Sequence, residues 1–159
     1  MLGHFGFSYV GVIYLLMLFI PNLFWTRNKP TGYDKVAANE NKVLLLLERI
    51  GEVLVTTTAV IFSDFNLHTF SAWSLWLAIS FVLMIIYEMY WSHYFKSEHT
   101  LEDFYGNYFG IPVPGALLPV TAFFLLGIYG KVVWMLIAVT ILGIGHVGIH
   151  LQHRKEVIG

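Results

Sequence analysis

The run Lys42–Phe65, KVLLLLERIGEVLVTTTAVIFSDF, is an apolar segment that carries Glu48, Arg49 and Glu52 inside it. The uncharged part after Glu52, from Val53 to Ser63, is only about 11 residues long, whereas a membrane-crossing helix needs about 20 at ~1.5 Å each. A crossing helix must therefore start near Val43, which places the three charges about 8 to 14 Å in from its first residue. Each of the worst such groups costs roughly 2.5 kcal/mol or more when it faces lipid at mid-membrane. These side chains are expected to face other helices, water or the interface, and the rest of the chain has to supply that environment.

Composition sets the class. The 159 residues are 57% apolar and 12% charged, with a mean hydropathy of +0.69. Soluble domains carry about 25% charged residues, and a soluble fold of this length has no interior large enough for so many apolar segments. The absence of cysteine excludes disulfides, thiolate zinc sites, iron–sulfur clusters and thiol relays. No basic patch with interleaved aromatics points to nucleic acid. No repeat, low-complexity tract or long linker divides the chain. The expectation is an all-α integral membrane protein, with residues 1–159 forming one polytopic domain.

Five transmembrane helices are predicted, over about 3–25, 43–63, 70–91, 113–128 and 131–151. The first has no charge, with His4 at its outer lip and Pro21, Asn22 and Trp25 near its inner end. It lacks the basic n-region and cleavage site of a signal peptide. Asn39 or Asn41 is a suitable cap for the second helix. Trp73, Trp76, Tyr87, Tyr90 and Trp91 mark the two interfaces of the third. Residues 96–111 read as a short interfacial segment before helix 4, opened by Thr100, with Phe104, Tyr105, Tyr108 and Phe109 suited to the headgroup zone. Pro112, Pro114 and Pro119 make the approach to the fourth helix irregular, and Gly127–Gly130 marks a tight hairpin into the fifth.

Basic residues orient this layout. Arg27, Lys29, Lys35, Lys42, Arg49, Lys96, Arg154 and Lys155 fall on one side, and Lys131 alone on the other. The positive-inside rule then places the N-terminus outside and the C-terminus in the cytoplasm. A multi-pass protein of the cell (plasma) membrane is the expected localisation. A four-helix alternative would spoil the asymmetry.

The titratable residues gather on the cytoplasmic side of this layout: Glu48, Arg49 and Glu52 on the second helix, and Glu88 and His93 at the end of the third. The fifth contributes His146, His150 and His153, which at i, i+4 and i+7 share one helical face with Gly143. Imidazoles on successive turns suit a transition-metal ion, and His146 and His150 are the candidate ligands. Glu48, Glu52 and Glu88 are candidates as further ligands or as acceptors for the other imidazole N–H. A haem-type cofactor would draw on His146 or His150 together with His93. Each feature also has a plain structural reading. Glu48, Arg49 and Glu52 form an ion-paired cluster, the two histidines bond to Glu48, Glu52 or Glu88, and Gly143, Gly145 and Gly148 serve helix packing. Thr56, Thr57 and Thr58 bond to their own carbonyls at i−4 or line a polar path. His153, beside Arg154 and Lys155, is expected to be solvated, and His93 and His99 interfacial.

Four functions compete. The leading expectation is a protein that binds a metal ion or a haem-type cofactor near its cytoplasmic face for sensing, buffering or redox. The second is a membrane-embedded enzyme on a lipid or lipophilic substrate, with these carboxylates and imidazoles as acid–base groups. The layout is similar in outline to the isoprenylcysteine methyltransferase-like membrane enzymes: five spans, with a C-terminal helical hairpin ending in charged residues, here His153 to Glu156. The Arg-His-Pro-type cofactor motif of that family is absent, and the matching place reads Ile111-Pro-Val-Pro-Gly115. The resemblance therefore implies a lipophilic substrate by analogy only and assigns no residue. GxSxG and HExxH do not occur. The third is a transporter subunit, which with so few helices would need a homo-oligomer, and the fourth is an accessory subunit whose polar cluster only specifies packing.

Overall fold

A computed structural model describes residues 2–159. The chain is 72% helical, and the described residues contain no strands. Five long helices, α1 (Tyr9–Trp25), α3 (Lys42–Ile61), α4 (Ser74–Tyr94), α6 (Pro114–Gly130) and α7 (Val133–Ile158), are joined by two single-turn helices, α2 (Tyr33–Ala37) and α5 (Leu101–Tyr105).

Loop contacts define two ends of a bundle. At one end, residues 3–8 run extended beside the end of α3, Gly6 N–H donating to the Ile61 carbonyl at 2.8 Å and Ser8 N–H to that of Val60 at 3.0 Å. Here Trp73 Nε1–H also reaches the Tyr129 carbonyl at 2.9 Å. At the opposite end, the Tyr94 hydroxyl donates to the Asn28 carbonyl at 2.7 Å. Beside it, Arg154 reaches the Tyr105 carbonyl at 2.7 Å, and Gln152 that of Asn39 at 3.0 Å. The five long helices run alternately between these ends.

Local chemistry explains most boundaries. Ser8 caps α1 by accepting from Gly11 N–H at 2.9 Å, so this helix starts at Tyr9 rather than at the expected Gly3. Asn41 caps α3, and Thr100 and Asp103 form a capping box on α5. Val113, a β-branched residue at φ 40, leads into α6, a backbone state that costs on the order of 1–3 kcal/mol. Lys131, also left-handed, ends α6. The i−4 bond expected of the threonines is made by Thr58, to Leu54.

Packing is most extensive between α3 and α7, then between α4 and α6 and between α6 and α7. Gly145 sets the first contact: a Cβ there would stand 2.3 Å from the Glu48 backbone nitrogen. The backbones meet because a side chain is missing, which bears out a packing role for Gly145. Gly11 does the same for α1, where a Cβ would lie 1.8 Å from the Ala59 carbonyl oxygen. On α4, Met84, Tyr87, Tyr90, Trp91 and Tyr94 form the buried face. Phe104 and Tyr105 of α5 are also buried, not surface anchors as the sequence implies, because the capped turn folds them inward against α7 and the α4 aromatics.

Helices α4 and α7 are long and apolar enough to cross a membrane. At 17 residues each, α1 and α6 are shorter apolar helices, and α3 carries its charges within the apolar run. Large apolar side chains face outward along the bundle, among them Leu16, Phe19 and Leu23 of α1, Val82 and Met89 of α4, and Ile137 and Ile144 of α7.

Candidate functional site

The close approach at Gly145 carries Glu48 of α3 against α7. His146 Nδ1 lies 2.5 Å from Glu48 Oε1, and the two side chains are only 26% and 12% exposed. One turn on, the His150 ring centre is 4.6 Å from that of His146, and Phe104 and Tyr105 pack over it at 5.8 and 5.5 Å. A further turn places His153 Nδ1 at 2.7 Å from the Tyr105 hydroxyl. The three histidines therefore share one face, as their spacing predicts, and all line one chamber.

This chamber has a volume of about 310 Å³. Asn22 and Trp25 of α1, Tyr33 of α2, Glu40, and Trp91 of α4 complete its wall together with Glu48, Arg49 and Glu52. Trp25 stacks on Phe104 at 5.6 Å, and Tyr33 stands edge-on to Trp25 at 4.9 Å. Arg49 is already committed to Glu52 at 3.0 Å. Burial and the negative charges of Glu40 and Glu48 push the Tyr33 phenol up to about 12. Burial, followed by the Glu48 charge, raises the Glu40 carboxyl above the usual range. Both shifts arise first from burial in the chamber and only second from its carboxylates.

A second cavity of about 520 Å³ adjoins the chamber and shares Asn22, Glu52, Gly115 and His146 with it. Its remaining wall is almost wholly apolar, from Leu18 and Phe19 of α1, Val53 and Val55 of α3, Val120 and Phe123 of α6, and Leu142 of α7, with Thr56 and Thr57 as the polar exceptions. It is lined by α1, α3, α6 and α7, and α1 and α3 touch at Gly11 and Ala59.

Several sequence expectations need correction. His153 is not solvated but 1% exposed, because α5 folds over it. Glu88 and His93 do not join the histidines of α7. They line a separate cleft with Lys96 and Tyr108, since α4 turns its aromatic face inward and these two residues lie off it. No group of three or more His, Asp or Glu side chains among the described residues is placed to hold a metal ion. Glu48 is held by His146, and Glu52 is turned to Arg49. Of the expected set, His146, His150, Glu48 and Glu52 line the chamber, whereas Glu88 and the haem candidate His93 lie in the separate cleft.

Sequence reasoning missed Glu40, Tyr33 and Phe104 as wall residues because they come from a loop and single-turn helices without periodicity, and Trp25, the last residue of α1, because it reads as an interface marker. Asn22 did carry a signal as an amide in an apolar helix, and its Nδ2–H donates to the Leu18 carbonyl at 2.7 Å and to the Tyr87 hydroxyl at 2.8 Å. At the opposite end, His4 Nδ1 lies 2.8 Å from Asp64 Oδ1, a pairing that 60 residues of separation hid. No family model matches this chain, and neither curated proteins nor solved structures show a match to it.

Proposed function

We propose that this chain is a five-span membrane protein that binds an amphiphilic molecule, its tail in the apolar slot and its polar head in the adjoining chamber. The observation that carries this reading is the pair of cavities: one apolar, one rich in carboxylates, imidazoles and aromatics, joined along Asn22, Glu52, Gly115 and His146. Ligand sites combine a mainly apolar wall with a few placed polar groups, and here the two kinds of wall are segregated as they are in a lipid.

The outward-facing apolar side chains support the membrane setting. A soluble monomer rarely exposes a contiguous apolar patch of more than a few hundred Å², whereas this surface is apolar along several helices. Arg27, Lys29, Lys35, Lys42, Lys96, Arg154 and Lys155 lie on the chamber end or its flanking loops and Lys131 at the other, which on the positive-inside rule puts the chamber at the cytoplasmic face and the N-terminus outside. On this reading the slot opens sideways to the bilayer, so a lipid-borne ligand enters without crossing water.

The chemistry available is proton transfer. Glu48 fixes one ring nitrogen of His146 and leaves the other free, the arrangement of a carboxylate-oriented general base. This favours the lipophilic-substrate reading over the metal or haem reading, for which no convergent ligand set exists among the described residues.

The test is native mass spectrometry of the protein released from a mild neutral detergent. A retained amphiphile at one per protomer is expected for the wild type, with loss in Thr57→Trp, which fills the slot from an exposed position. Equal retention by Thr57→Trp, or no retained species in either protein, would contradict the proposal.

A further inference from the structure

We infer that the head taken by the chamber is a protonated amine, so that the ligand is a long-chain alkylammonium amphiphile. This inference rests on the amphiphile reading and names its chemical class.

Charge is the first argument. Glu40, Glu48 and Glu52 line the chamber against one cation, Arg49, which is already paired with Glu52. With neutral imidazoles the wall carries three negative charges and one positive, a net of −2, and a cleft lined mainly by one sign of charge focuses that potential. An anionic head such as a phosphate or carboxylate would meet like charge on entering. A cationic head would meet opposite charge.

Hydrogen-bonding capacity is the second. His153 is 1% exposed and lines the chamber. Its Nε2 is buried without a hydrogen-bond partner, as are the indole N–H groups of Trp25 and Trp91 in the same wall, and the carboxylate oxygen facing Nε2, Glu40 Oε1, stands at 3.5 Å. A buried polar atom left in this state is costly in a finished site. An ammonium N–H bonded to Glu40 would compensate, drawing that carboxylate into the cavity, and His153 Nε2 can accept from the same group when the Tyr105 hydroxyl accepts from Nδ1. His150 offers a further imidazole nitrogen on the same face.

The aromatic walls are the third. The Trp25 and Tyr33 rings already attract a cation, with Lys29 Nζ at 5.6 and 5.5 Å from their centroids. Lys29 does not itself line the chamber. The quadrupoles of these rings thus suit positive charge. The acceptors, however, favour N–H donors over a quaternary ammonium, which has none.

The experiment is isothermal titration calorimetry at neutral pH in a neutral maltoside detergent, with four probes of one chain length: dodecylamine, dodecyltrimethylammonium, dodecanol and dodecanoate. The expected order is dodecylamine first, about tenfold or more tighter than dodecanoate, with the alcohol and the quaternary ammonium between them. Glu40→Gln, a substitution at a loop residue, is expected to weaken dodecylamine severalfold and leave dodecanol unchanged. Dodecanol or dodecanoate binding as tightly as dodecylamine would overturn this inference while leaving the amphiphile reading in place. Binding of none of the four would overturn both.

Discussion

The two ends of the bundle each carry a carboxylate–histidine pair, and the pairs differ in everything but chemistry. His4 and Asp64 meet at 2.8 Å with the histidine side chain 88% exposed. His146 and Glu48 meet with both side chains largely covered. The first pair fastens the extended residues 3–8 to the turn after α3, and His4 N–H adds a second bond to Asp64 Oδ2 at 2.5 Å. Its histidine side is exposed. The second pair faces two adjoining cavities and a run of further imidazoles. The same residue types serve as a clasp at one end and as candidate chemistry at the other, so function is read from the surroundings and not from the pair.

The strongest way to break this comparison is at the helix contact that creates the inner pair. Gly145→Val drives a branched side chain into the Glu48 backbone, and overpacking of this kind costs typically 1–3 kcal/mol, sometimes more. A fall in melting temperature of several degrees is expected, by about 2–4 °C per kcal/mol for a chain of this size. Hydrogen exchange should quicken around residues 44–52 and 142–149 and stay unchanged in residues 3–8. Equal loosening at both ends would show that the two pairs belong to one cooperative unit.

Next comes removal of the carboxylates. Glu48→Ala leaves a largely covered imidazole without its partner and should cost about 1–3 kcal/mol. Asp64→Ala removes a rim pair whose worth is about 1 kcal/mol or less. Thermal melts of the two variants in one detergent check the ranking, and a larger loss for Asp64→Ala would invert the assignment of clasp and site.

A smaller effect is a pH step at the outer pair. Burial pushes the Asp64 carboxyl up, but the hydrogen bonds and charge of His4 outweigh this and hold it below its ordinary range. A depressed carboxyl stabilises the folded state above its unfolded pKa of about 3.9 and loses that contribution as pH falls through the lower folded value. Exchange of residues 3–8 should therefore accelerate below about pH 4, and Asp64→Asn should abolish the step. Smallest of all, Glu88→Gln and His93→Ala should leave amphiphile affinity unchanged within about twofold, since both line a separate cleft.

The sequence disclosed the helices because apolar length is a one-dimensional property. It disclosed the shared face of His146, His150 and His153 because a helix converts spacing into direction. It also required a polar environment for Glu48, and α7 supplies one. Glu88 and His93 stand apart from the other candidates for a physical reason: depth along a bundle does not give the facing direction, and these two lie off the buried aromatic face of α4. The chamber roof was not legible at all. Glu40, Tyr33 and Phe104 arrive from a loop and single-turn helices, whose placement is decided by tertiary contacts such as the Tyr105–His153 bond. The slot was equally hidden, since its wall is shared among α1, α3, α6 and α7.

The most direct test of a single amphiphile site is photocrosslinking with a dodecyl chain bearing a terminal diazirine, offered with an amine or an alcohol head, and mapped by peptide mass spectrometry. The account predicts adducts on the slot wall, at Phe19, Val53, Thr57 and Val120, that fall sharply in Glu48→Gln, where only the head end of the site is altered. Adducts spread over the outward face of α4, at Ile85 and Met89, with no enrichment in the slot and no response to Glu48→Gln, would contradict it.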